Sequence, residues 1–314
     1  MIHHRVVLLG PQRLQPTLNK AVAAARVSGP LAAITAGWEE RESEDQEMRD
    51  HLGGHTINLR VYDRAEDVMR RDPELNAAIR ERQDRLRVQH DLYRVRLAHA
   101  MAAARELLHR EQTDGYSEML NAEREAAIEA VRTLDGFHLM KVVDVHHEFE
   151  DRLRPLERSI VEHHRREMAH ILNDCGALCV AGGHVVALLH RMRLFDVLGL
   201  VEHKPIFAWS AGAMALGERV VLFHDNPPQG TGNAELFEEG LSAYSGVLPL
   251  PHARHRLHLH DRTRVALMAR RFAPAQVVAF DALTRMEWNG SSWHGDKGTL
   301  RLTEGGVMTQ AGAA

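Results

Sequence analysis

Four short apolar runs, Arg5–Leu9, Pro30–Thr35, Ala177–Ala181 and Pro205–Trp209, are each stopped by small or turn-forming residues: Gly10-Pro11, Ala36-Gly37, Gly182-Gly183 and Ser210-Ala211-Gly212. Runs of this length without polar alternation are expected where a strand is covered on both faces, the situation of a parallel sheet packed between helices. Helical segments at Leu18–Ala25 and Val185–Phe195 fit between them. Further strands are expected at His55–Tyr62, with Ile57, Leu59 and Val61 on one face, and at Arg219–Phe223 and Gln276–Phe280; Thr263–Arg271 reads as a helix. The end of the chain, through Met286–Asn289, Trp293 and Thr299–Thr303, reads as a Gly-punctuated hairpin region. The alternation predicts a doubly wound, mostly parallel α/β sheet.

Between Arg64 and Asn173 the grammar changes. Pro and Gly almost vanish, charges of both signs crowd in, and Leu75, Ile79, Leu86, Tyr93, Leu97, Ala100, Ala104 and Leu108 recur at steps of three and four, with Arg82 and His90 filling two slots. This is a long amphipathic helix or helix pair, interrupted at Gly115 and followed by helical stretches through Leu120–Leu134 and Leu139–Ile160, where Pro155 marks a kink or restart. The expected organisation is an α/β unit formed by residues 1–63 and 174–314, with residues 64–173 inserted as helices. The insertion has two compatible readings: a helical hairpin packed on the sheet edge or forming a homo-oligomer interface through its apolar stripe, and a lid that narrows substrate choice.

Composition narrows the functional classes. With 39 basic against 43 acidic residues and a net charge of −4, the 314-residue chain offers no electrostatic reason to bind nucleic acid or an anionic membrane. No run of 18 apolar residues occurs, and the two cysteines, Cys175 and Cys179, cannot form a disulfide framework, so a reduced, cytoplasmic setting is expected.

The sharpest chemical signal is Phe207-Ala208-Trp209-Ser210-Ala211-Gly212-Ala213, an apolar strand running into a serine flanked by small residues and then a helix. Small neighbours are what a nucleophile elbow needs, because larger side chains collide in so tight a strand-to-helix turn. A plain helix N-cap serine uses the same arrangement, and Ala208 stands where G-x-S-x-G has its first glycine. Upstream, Val180-Ala181-Gly182-Gly183-His184 also ends a strand and opens a helix, and glycines there let backbone N–H groups approach a ligand or a developing oxyanion.

Together with Leu188-Leu189 and Leu250-Pro251-His252, these motifs resemble the peptidase E and cyanophycinase group of serine peptidases, over residues 174–285 and, more loosely, 5–62. The resemblance implies a flavodoxin-like sheet of the class I glutamine amidotransferase type. It makes Ser210 the nucleophile, His252 its general base and Asp225, fifteen residues after Ser210, the acid; the amides of Gly183 and Ala211 would form the oxyanion hole. It implies a small peptide or amide substrate of aspartyl or β-aspartyl type, with Asp281 near the substrate end of the site. No cofactor is implied, and an amidotransferase would need Cys at position 210. The segment after the second strand, residues 34–42, falls at the carboxyl edge of the sheet, where such folds bind ligands, so Trp38, Glu39 and Arg41 join Gly182 as candidate substrate-binding residues.

The 22 histidines outnumber Phe, Trp and Tyr together. His163 and Glu167, like His146 and Glu150, share a helix face at metal-ligand spacing, but there is no H-E-x-x-H and Arg165 and Arg166 crowd the turn, so solvated helix surface is the expectation and no metal is assigned. The competing reading for the chain is a non-catalytic binding or assembly protein on the same fold, in which His252 lies beyond reach of Ser210.

Overall fold

The computed structural model describes residues 5–111, 116–201, 203–225 and 232–311. In chain order the α/β part opens with β1 (Val6–Leu9), α1 (Leu18–Ala24), β2 (Leu31–Ile34), α2 (Gln46–His51) and β3 (Thr56–Asn58). Four helices follow: α3 (Val61–Arg71), α4 (Pro73–His109), α5 (Ser117–Leu153) and α6 (Ser159–Asp174). Then come β4 (Ala177–Val180), α7 (Val185–Leu194), β5 (Ile206–Trp209), α8 (Ala211–Leu216), β6 (Arg219–Leu222), β7 (Glu235–Glu239), β8 (Val247–Pro251), the single turn α9 (Ala253–Arg256), α10 (Arg262–Phe272) and β9 (Gln276–Phe280). The chain closes with β10 (Arg285–Trp288), β11 (Trp293–Gly295), β12 (Leu300–Leu302) and β13 (Met308–Gln310).

The central sheet has the order β11-β10-β1-β5-β4-β2-β3. Strands β1 to β5 within it are parallel, and β10 and β11 extend it antiparallel on one edge. Strands β1, β2, β4 and β5 are buried throughout, which is why their sequences carry no polar alternation. Their alternate residues feed two cores. Val7, Leu9, Cys179, Phe207 and Trp209 meet Leu18 and Ala21 of α1 on one face, and Val6, Leu8, Ile34, Val180 and Ala208 join the larger core on the other. A second sheet, β13-β12-β9-β8, pairs β8 and β9 in parallel, and β6 and β7 form an antiparallel ribbon.

The expected third strand is shorter than its sequence suggested. Within β3 the side chain of Ile57 is 37% exposed while Thr56 and Asn58 are buried, and the chain is already helical at Val61. Polar bonding decides the orientation: Asn58 Nδ2 donates to Thr35 Oγ1 (2.8 Å), the Glu42 carbonyl (3.1 Å) and Asp45 (3.1 Å). A buried amide so well satisfied outweighs the modest gain from turning one isoleucine inward.

Helices α4 and α5 form a long antiparallel hairpin. Asp72 caps α4 by accepting from the Leu75 amide (3.0 Å), with Pro73 at the first helical position. Gly115, read as the interruption, lies outside the described residues; the helices end at His109 and begin at Ser117. Arg82 keeps its slot in the apolar series by lying 4.2 Å over the Phe149 ring. Deeper, Asp135 of α5 receives Arg271 of α10 through Nε (2.6 Å) and Nη2 (2.7 Å), and Tyr93 of α4 donates to the same carboxylate (2.8 Å).

Strand β7 is gripped by the hairpin along its length. Glu235 meets His90 (2.8 Å) and Arg94 (3.0 Å), the Leu236 amide donates to Tyr93 Oη (3.2 Å), and the Phe237 carbonyl lies 3.2 Å from His138 Nε2. Glu238, 1% exposed, lies between His146 (2.7 Å), His190 (2.6 Å) and Arg193 (3.1 Å). This corrects the expectation of solvated helix surface for His146, whereas His163, Glu167 and Glu150 are exposed as expected. His138, His146 and His164 are buried, because β7 and α3 bring carbonyl and carboxylate acceptors against the helices. Among the described residues no helix is long and apolar enough to cross a membrane.

Candidate active site

Ser210 occupies the turn between β5 and α8 with φ 51° and ψ −124°, a backbone conformation that L residues rarely adopt. Its small neighbours have identifiable reasons. A Cβ on Gly182 would stand 2.8 Å from Ser210 Cβ, and one on Gly212 would stand 2.4 Å from the Val180 carbonyl oxygen and 2.7 Å from that of Ala181. Gly37 and Gly183 interlock in the same way: a Cβ on Gly183, where φ is +115°, would meet the Gly37 carbonyl at 2.2 Å, and that carbonyl accepts from the His184 amide at 2.6 Å. Two loops at the carboxyl ends of β2 and β4 thus pack backbone to backbone beneath Ser210. Among the described residues the amides of Gly183 and Ala211 have no hydrogen-bond acceptor, which leaves both donors available.

His252 follows β8 with φ 56°, its amide donating to the Phe280 carbonyl (2.9 Å). Burial pushes its pKa down, the nearby positive charge of Arg256 pushes it further, Asp281 opposes, and His255 adds to the lowering. The imidazole is therefore held neutral near pH 7, the form a base requires. No hydrogen bond joins Ser210 Oγ to His252 among the described residues, but both line one cleft of about 1380 Å³. Of the other sequence candidates, Gly182, Gly183, Ala211, Trp38 and Arg41 line it too.

Asp225 does not meet His252 among the described residues. Arg264 holds it through Nε (3.1 Å) and Nη2, the His258 amide donates to it (2.8 Å), and its own amide donates to the Arg256 carbonyl (2.7 Å). It lines a separate, small cavity of about 40 Å³. Through its carboxylate and its amide Asp225 thus braces the C-terminal end of the turn that carries α9. Asp281 directly follows β9, whose Phe280 pairs with Pro251, and it accepts from the Arg254 amide at 3.1 Å. Glu39, with φ 56°, sits in the turn beside the cleft but not in its lining.

Residues that sequence reasoning did not single out complete the cleft. Arg94 of α4 and Glu235 of β7 line it as an ion pair, so the helical hairpin supplies one of its walls, and Arg256 stands one helical turn after His252. The spacing from His252 could have pointed to Arg256; nothing local could have pointed to Arg94 and Glu235, 141 residues apart. The cluster of His163, His164 and Glu167 has ligand atoms within 4.8 Å of one another, but Arg64 bonds His164 Nδ1 (3.0 Å) and Glu167, so a cation already occupies the place where an ion would bind.

No family model matches the chain. It is 27% identical over 84 residues to the protein named Peptidase E from Haemophilus influenzae (strain PittGG), a stretch covering 25% of this chain and 36% of that relative. The chain thus matches about a third of that relative's length, a weak and distant homology. A solved structure described as a peptidase from an acI-B1 Actinobacterium superimposes with a TM-score of 0.46 at 13% identity, over 97% of this chain and 92% of the other. The relatives' names are those of peptidases.

Proposed function

We propose that this chain is a serine hydrolase of peptidase or amidase type, built on a flavodoxin-like sheet of the class I glutamine amidotransferase kind. In this reading residues 1–63 and 174–314 carry the chemistry and residues 64–173 are an insertion that walls the cleft. The observation that carries it is Ser210 in a strained strand-to-helix turn, sharing a cleft with a histidine held neutral. Strain at a non-glycine residue persists where the surroundings over-determine it, and it concentrates at sites that do chemistry.

His252 takes the Ser210 proton as Oγ attacks the scissile carbonyl, and the amides of Gly183 and Ala211 receive the oxyanion. His252 then returns the proton to the leaving amine, and water repeats the cycle on the acyl-enzyme. Asp281 is the acid whose charge acts on His252, and it stabilises the imidazolium. Asp225, committed to Arg264 and to the backbone around α9, positions the turn that bears His252. The likeness to a protein named Peptidase E supports peptides as substrates, and the resemblance of the motifs around Ser210 and His252 narrows them in this reading to small peptides of aspartyl or β-aspartyl type.

The test is intact-mass detection of a fluorophosphonate adduct. One adduct on the wild-type chain, absent from Ser210→Ala and greatly slowed in His252→Ala, is expected. No adduct on a folded protein would favour the non-catalytic reading, which has in its favour the missing Ser210–His252 hydrogen bond.

A further inference from the structure

A second cavity, of about 420 Å³, lies between α4, α5, the turn after α5 and the end of α7, and shares no lining residue with the cleft of Ser210. Arg82 lines it while only 8% exposed. Among the described residues its guanidinium makes no ion pair and no hydrogen bond, and Nε is buried without a partner. The Phe149 ring, 4.2 Å away, offers it a π face but no charge. Glu238, whose charge reaches Arg82, is already shared by His146, His190 and Arg193. Burial pushes the Arg82 pKa down and the Arg193 charge pushes it further, against Glu238 and Glu150, to about 10, so the group stays charged near pH 7. A desolvated guanidinium whose donors are unused is costly to maintain, and a bound carboxylate relieves that cost.

The acids that line the same cavity are exposed, and two are engaged: Glu157 with Arg154 (3.6 Å) and Asp196 with Arg165 (3.4 Å). Glu150 makes no ion pair among the described residues. The cavity therefore presents an unpaired base buried in its wall and an unpaired acid on its exposed side, which feel each other's charge without forming an ion pair. Phe149 and Pro155, both buried, and half-buried Leu194 add an apolar wall. A polyanion would be repelled by the acids and a simple cation by Arg82. A small molecule with one carboxylate, one ammonium and an apolar body satisfies all three features.

We infer that this cavity is a binding site for a free apolar α-amino acid, whose carboxylate docks on Arg82, whose ammonium faces Glu150 and whose side chain rests against Phe149 and Leu194. The site stands apart from the hydrolase reading, since none of these residues lines the cleft of Ser210.

Calorimetric titration of the wild-type chain with leucine and phenylalanine tests it, beside the N-acetyl derivative of each, which lacks the ammonium, and the amide of each, which lacks the carboxylate. At least one of the two amino acids is expected to bind about tenfold or more tightly than both of its derivatives. Arg82→Met, which keeps an apolar stem over Phe149, should remove the advantage over the amide, and Glu150→Gln, at an exposed position, should remove the advantage over the acetyl derivative. Binding of neither amino acid, equal binding of an amino acid and its derivatives, or an advantage that survives its matching substitution overturns the inference. If Arg82→Met does not fold, Glu150→Gln decides by itself: loss of the advantage over the acetyl derivative supports the site and its persistence overturns it.

Discussion

Strand β7 and the turn after β8 carry the same kinds of side chain and treat them in opposite ways. On β7, Glu235 and Glu238 are each met by two or three cationic or imidazole groups at 2.6–3.1 Å. After β8, His252 and Arg256 stand in a cleft without a hydrogen-bonded acid among the described residues. Where polar groups hold the helical hairpin to the α/β part the carboxylates are saturated, although the Nδ1 atoms of His90, His138 and His146 are buried without a hydrogen-bond partner; a buried charge short of a partner would loosen the helices.

The contrast is tested most strongly at the saturated end. Asp135→Asn leaves Arg271, almost wholly buried, without its counter-charge, and should cost about 3–5 kcal/mol in denaturant unfolding. Arg256→Gln, which removes a charge nothing neutralises, should cost less than about 1 kcal/mol. Equal losses would end the distinction.

Acid should act on the same side of the molecule. His146 is buried and its pKa is pushed down to about 4, mainly by burial; the hydrogen bond with Glu238 opposes this, and the Arg193 charge lowers it further. Its unfolded form titrates near 6.5, so from pH 6.5 down to about 4 the unfolded state binds the extra proton and stability falls, by about 3 kcal/mol at most. Glu238, held well below its usual range against the cost of burial by His190 and His146, adds a further loss at lower pH. Thermal unfolding followed from pH 7 to 4.5 should show this decline, and His146→Gln should flatten it.

The smallest change probes the elbow. Gly182→Ala puts a methyl 2.8 Å from Ser210 Cβ, so one of the two loops must move. The rate of fluorophosphonate labelling should drop about 100-fold, with thermal stability much less affected. An unchanged rate would mean that the elbow does not depend on this contact.

Much of this was legible in local sequence. Apolar runs without alternation gave β1, β2, β4 and β5, and the three-and-four spacing gave α4 and α5, because burial on both faces and burial on one helical stripe leave different periodicities. The clash-driven need for glycine beside Ser210 was legible for the same reason, since it operates between residues adjacent to strand ends. The inward turn of Asn58 and the burial of His146 were not legible, because each depends on acceptors supplied from elsewhere: Thr35, Glu42 and Asp45 for Asn58, and Glu238, 92 residues away, for His146. Asp225 had the spacing expected of an acid, but Arg264 and the turn from His252 to His258 determine what its carboxylate does.

The sequence by itself determined the buried strands β1, β2, β4 and β5, the helical character of residues 64–173 and the small residues around Ser210, since these follow from the size, polarity and spacing of near neighbours. Only the tertiary structure decided which charges are cancelled and which remain open. Cancellation requires two groups to meet in space, and the chain brings Arg94 to Glu235 and Arg264 to Asp225 while bringing no acid to Arg256 among the described residues.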